Sequence, residues 1–207
     1  MRICRSWDEA CSKANLPSSS ADWLASEECQ ARRKGVADRY QLGELDCSGY
    51  YEALSQALRG LYSIREVESI HTAWTLEEYP GVLELIRALN GIARVSTACL
   101  SNTNHAHWQR LAGIDGRREY SVVPELRHRL ASHLLGCAKP DPQIYRLAHA
   151  TFSEASAVQA ENIFFFDDLA DNVGAARLAG WTAFLVDPQG DTAQQMREHL
   201  RGAGMHC

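Results

Sequence analysis

Two adjacent carboxylates, Asp167 and Asp168, follow directly on the apolar run Ile163-Phe164-Phe165-Phe166. Carboxylates side by side at the end of a buried strand repel each other and lose solvation unless a cation neutralises them. A hard divalent ion such as Mg²⁺ binds through one or two carboxylates, with water and a substrate phosphate completing its octahedron. The plainer alternative is that the pair caps the next helix, whose N-terminus favours negative charge. The two residues by themselves leave both readings open. Leu100-Ser101-Asn102-Thr103-Asn104 closes another apolar stretch. Hydroxyls and backbone N–H groups at a strand-to-helix turn can hold an anionic oxygen, although such clusters are also ordinary turn chemistry. Lys139-Pro140-Asp141-Pro142 sets an ammonium before a proline-opened helix. There it can neutralise a phosphoryl oxygen, the commonplace reading being a solvated surface lysine.

The elements that must position these groups alternate. From residue 76 the pattern predicts a helix over 80–89, a strand over 94–100, a helix over 105–111 and a strand over 130–134. A helix opened by Asp141-Pro142 runs to 150. A strand over 163–166, a helix ending at Gly180, a strand over 182–186 and a helix over 192–201 complete the series. Apolar strands alternating with helices make an α/β, doubly wound, mostly parallel sheet covered on both faces. Ligands of such sheets bind beyond the carboxyl ends of the strands, where all three clusters fall. Before residue 76 the pattern is helical. Ser6 with Glu9 suits a helix start. Residues 45–58 put Tyr50, Leu54, Ala57 and Leu58 on one face, and 64–74 is a further helix. Residues 1–75 therefore form a small helical domain and 76–207 the α/β core.

The composition, 45% hydrophobic and 23% charged, describes a globular chain rather than a disordered one. Twenty-one Lys and Arg against 26 Asp and Glu give a net charge of −5, which argues against nucleic acid as a partner. The basic clusters Arg32-Arg33-Lys34, Arg117-Arg118 and Arg127-His128-Arg129 have no aromatic interleaving and read as solvated faces. No apolar run approaches the roughly 20 residues of a membrane span, and the start lacks the apolar stretch of a signal peptide. Seven scattered cysteines without a C-x-x-C pair read as reduced thiols of a cytoplasmic protein, with Cys99 and Cys137 as small buried hydrophobes. His105 and His107, two residues apart, cannot share a helical face and do not make a metal pair. Tyr50, Tyr51, Trp74 and Tyr79 read as core residues of the helical domain or as contacts with the sheet domain. Nothing in the sequence sets the oligomeric state.

In combination and in this order, Ser101, Lys139 and Asp167-Asp168 resemble the second, third and fourth motifs of the haloacid dehalogenase-like hydrolase superfamily. YPGVLELIRAL, LSNTN, GCAKPDPQIYRLA and AENIFFFDDLADNVGAARLAGWTAFLV are similar to that family's wording, and RYQLGELDCSGYYEALSQAL resembles its small helical cap. The resemblance covers roughly residues 6 to 187. It implies a Rossmann-like core with a helical cap over the site, and Mg²⁺-dependent hydrolysis of a small phosphorylated metabolite. On that reading Ser101 holds a phosphoryl oxygen with the Asn102 backbone, and Lys139 screens the charge on nucleophile and phosphate. Asp168, assisted by Asp167, ligates Mg²⁺, and Asp171 or Asn172 stands behind them. The adjacent acids favour the phosphatase branch over the dehalogenases, which need no metal.

The family's first motif, an apolar strand followed by D-x-[DN]-[GS], supplies an aspartate nucleophile and a second Asp as acid and base. Residues 1–10 contain neither the strand nor the motif, and no D-x-D occurs in the 207 residues. Instead Met1 to Trp7 resemble the passage from that strand to the cap. The expectation is a start assigned about a dozen residues late, one strand's length, with a chain that as given neither turns over phosphate esters nor dissolves well. The alternative is a pseudoenzyme that binds a phosphorylated ligand. Because the family's first strand sits mid-sheet, its omission should leave two strand edges unpaired or force the neighbours together.

Overall fold

The first third of the chain folds into five helices, four of them started by side-chain caps. The computed structural model describes residues 1–18, 22–114, 116, 119–154 and 157–205; Arg117-Arg118 and Cys207 lie outside these. In α1 (Trp7–Lys13) Ser6 Oγ accepts from Glu9 N, while the Glu9 carboxylate reaches back to Arg5 N. Next come α2 (Asp22–Ala25) and α3 (Glu27–Gln41), the latter capped by Ser26. Charged almost all round, α3 buries only Cys29 and Tyr40, so its sequence carries little amphipathic signal. Asp46 caps α4 (Cys47–Ala57), and a reciprocal Ser63–Glu66 box opens α5 (Ile64–Ala73). Tyr40, Tyr50, Leu54, Leu58, Val67 and Ile70 form their shared core. Tyr50, Leu54, Ala57 and Leu58 are all buried, as their spacing requires. Arg32 and Lys34 pair along α3 with Glu28 and Asp38.

The remainder alternates helix and strand: α6 (Val82–Asn90), β1 (Ala98–Ser101), α7 (His105–Leu111), α8 (Val122–Glu125), β2 (His128–Ala131) and α9 (Ser132–Leu135) come first. Then follow α10 (Pro142–Ser153), β3 (Phe164–Asp167), α11 (Ala170–Leu178), β4 (Thr182–Leu185) and α12 (Thr192–Gly202). Leu100, Leu130, Phe165 and Ala183 face α10 and α11 in one core. On the opposite face Phe164 and Phe166 pack against α6 and α12, and Cys99 and Ala131 against α7. The sheet is thus parallel and covered on both sides, a Rossmann-like α/β arrangement. Among the described residues no helix is long and apolar enough to cross a membrane.

Two strands differ from the sequence expectation. β1 begins at Ala98 rather than 94, because Arg94 takes φ +74° and Thr97 Oγ1 ties back to Asn90 Oδ1 at 2.7 Å. β2 ends at Ala131 rather than 134, because Ser132 opens a helical turn. Its buried hydroxyl accepts from Thr103 N at 3.0 Å and lies within donating distance of the Gln41 and Thr103 carbonyls.

The strands form two parallel pairs, β1 with β2 and β3 with β4. Among the described residues no backbone hydrogen bond joins the pairs. Residues 2–4 run antiparallel to 74–77, with Arg2 N bonded to Glu77 O and Leu76 N to Arg2 O.

The helical layer sits on the sheet domain through polar contacts. Tyr40 Oη accepts from Ala106 N at 3.1 Å. Gly43 adopts φ +78°, and a Cβ there would stand 2.3 Å from the His133 carbonyl oxygen, so only glycine fits this approach. Behind them the rings of His71 (α5) and His107 (α7) stack at 4.0 Å with planes 5° apart. His107 Nε2 donates to His71 O at 2.8 Å, and Asn104 Nδ2 meets its Nδ1. His71 Nδ1 faces Tyr50 Oη and its Nε2 faces Asn104 Oδ1. The pattern assigns both rings as neutral Nε2–H tautomers. His105, by contrast, is exposed.

Burial holds both imidazoles below their ordinary pKa, His107 at about 4, with Arg110 adding repulsion. The unfolded chain therefore binds protons that the folded one refuses. The stability these rings contribute is intact above about pH 6.5 and falls as the pH drops toward 4, by up to about 1.4 kcal/mol per pH unit for each ring. Denaturant midpoints measured from pH 7.5 to 5 should fall accordingly, and the slope should flatten in H71Q/H107Q. A midpoint constant over that range would show that neither ring resists protonation.

Candidate functional site

Alternation along β3 turns Phe165 and Asp167 to the buried side. A carboxylate this enclosed, 8% exposed, needs partners. Its Oδ2 takes the Lys139 ammonium at 2.7 Å, and its Oδ1 accepts from Leu169 N at 2.9 Å and Asn172 Nδ2 at 2.8 Å. Asn172 is itself buried, and its carbonyl accepts from Tyr145 Oη at 2.8 Å. The Lys139 side chain is 10% exposed and its Nζ lies 5.4 Å from the Phe165 ring centre, a cation–π contact.

Lys139 stands in the loop leading to α10, whose N-terminus is set by Pro142 and by Asp141 Oδ1 accepting from Gln143 N at 2.8 Å. The Lys139 peptide is gripped from the end of β1. Lys139 N donates to Asn102 Oδ1, and Asn102 Nδ2 donates to Lys139 O, both at 2.8 Å. Ser101, one residue earlier, is the last residue of β1, half-buried and opposite Ala131. The ends of β1 and β3 and the 139 loop thus meet at one rim. Asp168 is exposed there beside the enclosed Asp167. Asp171 is exposed on α11 and lines a groove of about 720 Å³ with Pro140, Pro142 and Arg146. Cys137 is buried and Cys99 half-buried, and burial pushes both thiols up, Cys99 to about 11, so neither is a ready nucleophile.

Both oxygens of Asp167 are engaged, which leaves Asp168 as the open carboxylate. The donor set is oxygen only. Among the described residues no three His, Cys, Asp or Glu side chains gather as a metal cage. One open carboxylate beside a second fits a hard cation that keeps its waters and takes phosphate oxygens; it does not fit zinc. Sequence reasoning singled out these acids, the lysine and the serine. It missed the two-point grip of the Asn102 side chain, having assigned that residue's backbone to phosphate, and it missed the His71–His107 stack. Neither has a local sequence signature, because each depends on a partner more than 30 residues away.

A protein-family model described as haloacid dehalogenase-like hydrolase matches residues 3–180. The chain belongs to that family. Its fold is shared with solved relatives. One is a HAD-like family hydrolase of Porphyromonas gingivalis (TM-score 0.73, 17% identity, 96% of this chain and 92% of that one). Another is a HAD family enzyme of Bacteroides thetaiotaomicron solved with magnesium and inorganic phosphate (TM-score 0.72, 16% identity, 94% and 92%). A Mycobacterium tuberculosis protein named as a phosphatase is 41% identical over 75 residues, 36% of this chain. The chain matches only 33% of that relative's length. The haloacid dehalogenase-like fold thus brings together the strand ends on which the polar clusters lie.

Removing one partner of the Lys139–Asp167 pair strands a buried charge. K139M and D167N should each lower unfolding free energy by about 3–5 kcal/mol, and the double variant should recover much of the loss. Urea denaturation in metal-free buffer measures this. Strictly additive losses would show that the two charges do not depend on each other.

Proposed function

We propose that this chain carries the phosphate- and magnesium-binding centre of a phosphatase-type hydrolase acting on a small phosphate monoester. The observation that carries the reading is the enclosed Lys139 ammonium on Asp167, with an open Asp168 beside it and the Ser101 strand end tied to the same loop. This arrangement suits a dianion. The Ser101 hydroxyl donates to one phosphoryl oxygen, and the ammonium offsets its charge. Asp168, assisted by Asp167, would hold Mg²⁺, and Asn172 keeps Asp167 oriented. When bound, the cation supplies charge neutralisation at the phosphoryl oxygens. The magnesium and phosphate in the Bacteroides relative and the phosphatase name of the mycobacterial one support this reading. Adjacent acids at the end of β3 favour it over metal-free dehalogenation.

A second reading of the same site is a non-catalytic protein that binds a phosphorylated ligand; turnover through a phospho-enzyme would in addition need an aspartate nucleophile. Calorimetric titration separates binding from chemistry. Inorganic phosphate should bind in Mg²⁺, lose at least about tenfold in affinity in chelator, and lose as much in D168N. On the second reading p-nitrophenyl phosphate is bound and not hydrolysed. Phosphate binding indifferent to both metal and D168N would sink the site, and metal-dependent hydrolysis would sink the non-catalytic reading.

A further inference from the structure

We infer that Asn102 is a positioning residue whose carboxamide, by clamping the peptide of Lys139, holds that lysine's ammonium on Asp167 and fixes its spacing from Ser101. The role of the clamp in phosphate binding rests on the function proposed above; the clamp itself rests on geometry alone.

Both polar atoms of the Asn102 side chain are used, and both on one residue: Oδ1 takes Lys139 N and Nδ2 gives to Lys139 O, each at 2.8 Å. A single hydrogen bond fixes a distance and leaves a peptide free to swing. Two bonds to the N–H and C=O of the same residue also fix its direction, as a neighbouring strand would. The chain of contacts runs Asn102, Lys139 peptide, Lys139 Nζ, Asp167, Asn172, Tyr145, crossing from β1 to α10 and α11. The chemistry demanded at 102 is a donor and an acceptor at the same short reach. Alanine offers neither, and glutamine carries both one methylene too far. With both atoms turned to the Lys139 peptide, the side chain acts on a ligand through Lys139.

Lys139 can be watched directly, because Lys13 and Lys34 are the only other lysines. In protein labelled with ¹³Cε-lysine, the signal that K139M removes should stand apart from the other two, shifted by the Phe165 ring. In N102A and in N102Q it should move toward the exposed lysines. Inorganic phosphate measured in Mg²⁺ should bind about tenfold more weakly in both. N90A provides the contrast. It removes another carboxamide that bridges distant segments, through Glu125 O and Thr97 Oγ1, and should cost stability without moving the Lys139 signal. If N102A does not fold, N102Q decides. A Lys139 signal unmoved in whichever variant folds, or moved equally by N90A, overturns the inference. Wild-type protein that binds no phosphate overturns the proposed function and leaves the clamp to be judged by the lysine signal alone.

Discussion

Lys139 and Asp167 are both enclosed, and their opposite charges meet at 2.7 Å. Pairing in a region of low polarisability is worth far more than at the surface, but only when geometry holds the partners at contact and the remaining lone pairs are filled. That condition explains much of the surrounding sequence. Leu169 N and Asn172 fill the second carboxylate oxygen, Phe165 lies under the ammonium, and Tyr145 anchors the Asn172 backbone. A polar rim is thereby built from residues already held in place by one another.

The alternating elements were legible because they rest on local chemistry. Asp141 before Pro142, the Ile163–Phe166 run and a glycine after Leu178 each act within one or two turns of chain. Gly180 takes φ +86° and receives the end of α11. The polar clusters were legible because strand ends in a parallel sheet collect function whatever the details of the sheet. What escaped was decided by tertiary contact. β2 gives way to a helical turn at Ser132 because that hydroxyl is claimed by Gln41 and Thr103. Polar α3 is held by two buried residues and its caps. Asn102 looked like a turn residue until Lys139 was beside it. The family resemblance already separated the two acids, Asp168 as ligand and Asp167 as its assistant; the structure adds a physical difference, Asp167 tied and Asp168 open.

The helical layer meets the sheet domain through groups that cannot be exchanged for apolar ones without penalty. Asn104 alone serves both histidine rings and caps α7, so one carboxamide links the two layers. Buried polar networks of this kind favour one arrangement over nearby alternatives, since any slippage leaves several groups unsatisfied at once. Gly43 against His133 adds a steric condition on the same seating.

Asn102 and Asn104 stand two residues apart, one reaching to the loop before α10 and the other to His71 on α5. One short turn therefore fastens both the lysine loop and the helical layer, so shifting that turn would be felt on both sides at once.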